Sequence, residues 1–119
     1  MQFMLMINED ESAYAGPDGA ALMEQVLAGH MKLAEDLVAA GIPFSGERLK
    51  PASTATTVRS DNGSVTLHDG PFAETHEELG GFYIIDVPDL DEAIEWAKRI
   101  PVPKGGIEVR PVWQMGPEG

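Results

Sequence analysis

The chain contains no cysteine, and that one absence removes disulfides, thiolate metal sites and cysteine nucleophiles together. Positive charge is scarce as well. Eight Lys and Arg stand against twenty Asp and Glu, a formal net charge of −12. A surface this acidic repels phosphate backbones and anionic lipid, so neither direct nucleic-acid binding nor membrane association is expected. High negative charge is otherwise a solubility feature. Long apolar runs are missing too. The amino-terminal one extends only from Phe3 to Ile7, too short for a signal-peptide core or a membrane span. A cytoplasmic location is the expected one.

What is present fits a single domain over residues 1–119. The length is near the commonest domain size, and the 43% apolar fraction is that of a globular protein. Residues 2–7 read as a strand buried on both faces. Asp18 is the expected N-cap of a helix over about 20–40, in which Met23, Val26, Leu27, His30, Leu33, Ala34 and Leu37 share one stripe. Gly41 and Pro43 stop it. "TATTVRS" and "SVTLH" flank Asp61-Asn62-Gly63, a turn that accepts positive φ, and so form a hairpin. Residues 81–87 are a further strand. Residues 88–101 are a helix with a capping pair at Asp89 and Glu92, and 107–114 alternate as a last strand.

This order predicts an α+β fold, a ferredoxin-like split βαβ with an inserted hairpin, an antiparallel sheet and both helices on one face. The strands at 2–7 and 81–87 are apolar on both faces, so the uncovered face would be a large exposed patch. A homodimer pressing sheet on sheet is the simplest remedy.

The stretch "HDGPFAETHEELGGF" (68–82) reads as a strand-exit turn, with Gly70 and Pro71 setting the reversal and Phe72 anchoring it in the core. With "FMLMI", "GERLKP" and "EVRPV" it also resembles the DGPF branch of the YCII-related family, nearly end to end. The resemblance implies a dimeric α+β barrel and, at most, a regulatory association with sigma-factor-linked transcription control through a protein partner. In the YciI-like branch a His on the first helix and an Asp late in the second line a pocket as a candidate catalytic pair. His30 matches the first position, while Ile100 occupies the second. His76 stands where the DGPF pattern more often has Lys.

His30 is the leading candidate: a polar ring on an apolar stripe needs a partner, and general bases are most often His. The competing reading is a core histidine satisfied by a carbonyl or by a carboxylate from the opposite wall. Asp69 is expected to approach His30 as its catalytic partner, with Glu74 beside it as a ligand-binding carboxylate. A turn cap and a solvated acid are their alternatives. Arg48 and Arg110 are candidates to bind a substrate carboxylate, against simple ion pairing. Trp96 and Trp113 are expected in the core or the dimer seam. A metal set of His68, Asp69, Glu74 and His76 is rejected, because strand neighbours 68 and 69 point to opposite faces and "HEELG" has Gly80 where a zincin needs its second His.

No metal and no cofactor are therefore expected. The functional expectation is a dimeric protein that binds an unidentified small molecule, with weak isomerase- or lyase-type acid–base activity through His30. The alternative is a non-catalytic binding or regulatory module.

Overall fold

Alternation sorts the first strand, β1 (Gln2–Glu9), into two sides: Phe3, Leu5 and Ile7 are buried, Met4 and Met6 half-buried. The computed structural model describes residues 1–115, so residues 116–119 of the expected domain lie outside the described residues. Helix α1 (Gly19–Ala39) follows a short 3₁₀ turn at Glu11–Tyr14. Asp18 stands at its N-cap position, but its side chain makes no capping hydrogen bond. The helix ends where expected: Gly41 takes φ +71° and the Ile42 N–H reaches back to the Leu37 carbonyl at 3.0 Å.

The sequence reading passes from this helix straight to the hairpin, whereas the structure places another strand, β2 (Phe44–Arg48), between them. Gly and, to a lesser degree, Glu are depleted in strands. What makes β2 a strand is the open edge of β5 (Glu78–Asp86), with which it pairs in antiparallel register. The hairpin, β3 (Thr56–Asp61) and β4 (Ser64–Asp69), forms its own two-stranded sheet. Its turn is as expected, Asn62 at φ 47° and Gly63 at φ 86°. Helix α2 (Leu90–Ala97) is shorter than the predicted 88–101 and is capped by Asp89, which accepts the Glu92 N–H at 2.9 Å. Strand β6 (Gly105–Pro111) closes the main sheet, whose order is β2-β5-β1-β6 with every pair antiparallel.

One face of that sheet supplies Phe3, Leu5, Ile7 and Ile85 to a core shared with Leu33 and Leu37 of α1, Ala93 and Ala97 of α2, and Ile100. Asp36 ties the helical layer together by ion pairs to Lys32 (2.9 Å) and to Arg99, whose guanidinium lies 4.6 Å above Trp96. Trp113, by contrast, is 81% exposed. Phe72 is also not a core anchor. It is exposed under the Arg59 guanidinium, at 4.6 Å. The turn is held instead by Gly70 (φ +128°), whose N–H donates to Ala55 at 2.8 Å and whose carbonyl accepts from Thr57 Oγ1 at 2.8 Å.

Candidate functional site

The α1 stripe divides in two. Leu33 and Leu37 enter the core, while Met23, Val26, Leu27 and His30, one to three turns earlier, border a cavity of about 240 Å³ between helix and sheet. The cavity exists because the sheet beneath is short of side chains. Register puts Phe44, Gly46 and Arg48 of β2 opposite Ile85, Tyr83 and Gly81 of β5, so the helix-facing floor carries two glycines. A Cβ on Gly46 would lie 2.6 Å from the Phe82 carbonyl oxygen and 3.0 Å from Tyr83 Cδ1, and one on Gly81 would lie 2.8 Å from the Glu47 carbonyl oxygen. Gly29 brings the helix against Pro101, whose Cγ would be 2.9 Å from an added Cβ.

His30 and Tyr83 meet across this space. His30 Nδ1 is 2.7 Å from the Tyr83 hydroxyl, and the rings lie nearly parallel, centroids 5.8 Å apart. Burial lowers the His30 pKa, the Arg48 charge lowers it further, and only the Pro101 carbonyl works against them. The imidazole is therefore neutral at pH 7. Burial raises the Tyr83 pKa, which keeps it a phenol. With neutral His30 unprotonated at Nδ1, Tyr83 donates to it. Once that nitrogen takes a proton it becomes the donor, and the phenol proton is freed to point into the cavity.

The remaining polar wall comes from Glu9, Tyr14 and Arg48. Glu9 continues the helix-facing side of β1 beyond a bulge at Ile7/Asn8, where Gly80 drops out of the β5 pairing. Burial raises its pKa, against Arg48 and the Tyr14 hydroxyl, which lower it; Glu11 adds to the rise. Tyr14 is likewise raised, first by burial and then by the charge of Glu9.

Of the expected site residues, the structure brings His30 and Arg48 to one cavity. Asp69 does not reach it: it is exposed at the end of β4, in the separate sheet, and does not border the cavity. Glu74 is exposed beside it and folds with His68 over Gly70, where an added Cβ would lie 3.5 Å and 3.3 Å from their polar atoms. Arg110 faces the other side of the sheet, paired across β1 with Met4 and bonded to Glu108. Among the described residues no three His, Asp or Glu side chains gather as a metal site. No described helix is long and apolar enough to cross a membrane.

Sequence reasoning missed Tyr83, Glu9 and Tyr14. Tyr83 sits in "GFYIIDV", where Phe82 and Ile84 on one side and Ile85 and Val87 on the other are apolar, and nothing local says which side the cavity takes. The YCII-related domain family matches residues 1–116. An uncharacterized protein of Rhizobium meliloti (strain 1021) is 36% identical over 118 residues, covering 94% of this chain and 92% of that protein.

Proposed function

The chain belongs to the YCII-related family, and from that premise we propose that its cavity binds a small molecule and moves a proton next to a carbonyl through His30, in the manner of an isomerase or lyase. The observation that carries this reading is the 2.7 Å contact between His30 Nδ1 and the Tyr83 hydroxyl on the cavity wall. Tyr83 takes the place that Asp69 was expected to fill. A neutral imidazole accepts the substrate proton, and the phenol, released as a donor by the same event, polarises the substrate oxygen. A single positioned acid–base group contributes roughly 10²–10⁴-fold in rate, so the activity is modest.

The arrangement is read as a ferredoxin-like cytoplasmic domain in a homodimer. Met4, Met6, Phe82 and Ile84 share the sheet face away from the helices by alternation and register, which supports the dimer. A second reading, a non-catalytic binding or regulatory module with a protein partner in transcription control, draws on Ile100. It is only 5% exposed, inside the core, and supplies no carboxylate to His30.

Carbon–hydrogen exchange in D₂O separates the two. Acetophenone and 2-oxobutanoate, followed by proton NMR, are expected to lose α-protons to the protein, about tenfold more slowly with Y83F and not at all with H30Q. Exchange by wild type and H30Q at one rate would sink the catalytic reading. Binding without exchange selects the second.

A further inference from the structure

We infer that the cavity prefers a small organic carboxylate with an apolar body over its neutral analogues, that Arg48 holds the carboxylate, and that the bound anion switches His30 to a stronger base. This deepens the small-molecule reading of the site and rests on it.

Arg48 is the exception among the four arginines. Arg99 is paired with Asp36, Arg110 with Glu108, and Arg59 is occupied by the carbonyl and ring of Phe72. Arg48 makes no ion pair among the described residues, although the chain carries twenty carboxylates. Its guanidinium donates to the Met23 sulfur at 3.0 Å, a weak acceptor. The Glu9 carboxylate, which the Arg48 charge favours without an ion pair, is folded instead over Gly80, into space that only the missing side chain there leaves open. A guanidinium with its fork unfilled at the exposed rim of an apolar cavity is matched by a carboxylate.

The rest of the ligand follows from the walls. Ile7, Val26, Leu27 and Phe44 are apolar, and the volume of about 240 Å³ lies below the roughly 300–1,000 Å³ of drug-sized sites. The ligand is small, with a hydrocarbon or aromatic body and its reacting oxygen at His30 and Tyr83.

The switch is electrostatic. The polar groups that border the cavity with His30 are Tyr83 from β5, Arg48 and Glu47 from β2, Glu9 from β1 and Tyr14 from the 3₁₀ turn, and the Pro101 carbonyl also acts on the imidazole. Of these charges, Arg48 is the one that depresses His30. A carboxylate on Arg48 cancels that effect, so ligand binding raises the basicity of the imidazole. By linkage the ligand binds more tightly as the pH falls through the His30 range.

NMR titration of the imidazole tests this, with the exposed His68 and His76 as internal references. The probes are benzoate and hexanoate against benzamide and hexanamide, each at tens of millimolar. The acids are expected to raise the His30 midpoint by about half a pH unit or more, leaving His68 and His76 unmoved. The amides leave all three unmoved. In ligand-free R48M the His30 midpoint is already raised, and the acids no longer move it. R48K restores the response at weaker affinity. If amides and acids perturb the Tyr83 and Val26 resonances equally, or R48M binds the acids as wild type does, the carboxylate assignment is overturned while the small-molecule site stands. If no probe perturbs any cavity resonance, both are overturned.

Discussion

His30 is held below its ordinary pKa of 6.5 by burial and by Arg48, so the unfolded chain takes up a proton before the folded one does. Its effect on stability therefore has a definite sign. The folded state is unpenalised above about pH 6.5 and loses stability as the pH falls below that value toward the folded pKa. Glu9, raised by burial, acts in the opposite sense, but in the more acidic range of a carboxylate. Urea midpoints are therefore expected to fall more between pH 7.5 and pH 5.5 for wild type than for H30Q, a comparison in which the shared carboxylates cancel. Equal slopes would show that the imidazole is not desolvated. His30 was legible as a site residue because a polar ring interrupts an otherwise apolar stripe. Tyr83 was not, since a tyrosine among Phe82, Ile84 and Ile85 reads as one more strand residue.

The start of α2 behaves as its residues dictate, whereas Asp18 at the start of α1 makes no capping hydrogen bond. The Asp89 carboxylate accepts the Glu92 N–H at 2.9 Å, and D89A is expected to cost about 1 kcal/mol in urea unfolding, the ordinary worth of an N-cap. Strand β2 had no such signal, and its function depends on what it lacks. A Cβ at Gly46 meets the Phe82 carbonyl oxygen at 2.6 Å and Tyr83 Cδ1 at 3.0 Å. Neither the backbone nor a ring packed beneath His30 yields cheaply. G46A is expected to destabilise by about 1–3 kcal/mol, the range of overpacking, and to displace the His30 imidazole resonance. Gly16, with nothing within 4 Å of an added Cβ, is the control: G16A should leave that resonance in place.

At the scale of the whole molecule, the chain is wider than its length requires. Its radius of gyration is 16.4 Å, against roughly 13–14 Å for a compact chain of this size, because the hairpin projects with Val58, Val65 and Leu67 each more than 60% exposed. An isolated two-stranded hairpin is marginal in water, and together with the apolar sheet face this supports the proposed homodimer. Sedimentation at micromolar concentration is expected to give a dimer. Each protomer brings a formal −12, so association should tighten as salt screens the repulsion. M6K, on the face away from the cavity, should yield monomer. A well-folded wild-type monomer under these conditions would remove the dimer.

The amino-acid order by itself determined whatever rests on neighbours in the chain: the Asn62-Gly63 turn, the Gly41 helix stop, the Asp89 cap, the α1 stripe with its single histidine, and an acidic, cysteine-free surface. Only the tertiary structure decided that 44–48 is a strand, that the hairpin stands apart from the main sheet, that Arg48 rather than Arg110 reaches the cavity, and that Tyr83 rather than Asp69 meets His30. Period-two alternation says which residues of a strand share a face, but not which face the helices will cover. Nor does it place one strand against another. The cavity is made of absent side chains at Gly46 and Gly81, and they become a floor only once β2 and β5 are in register.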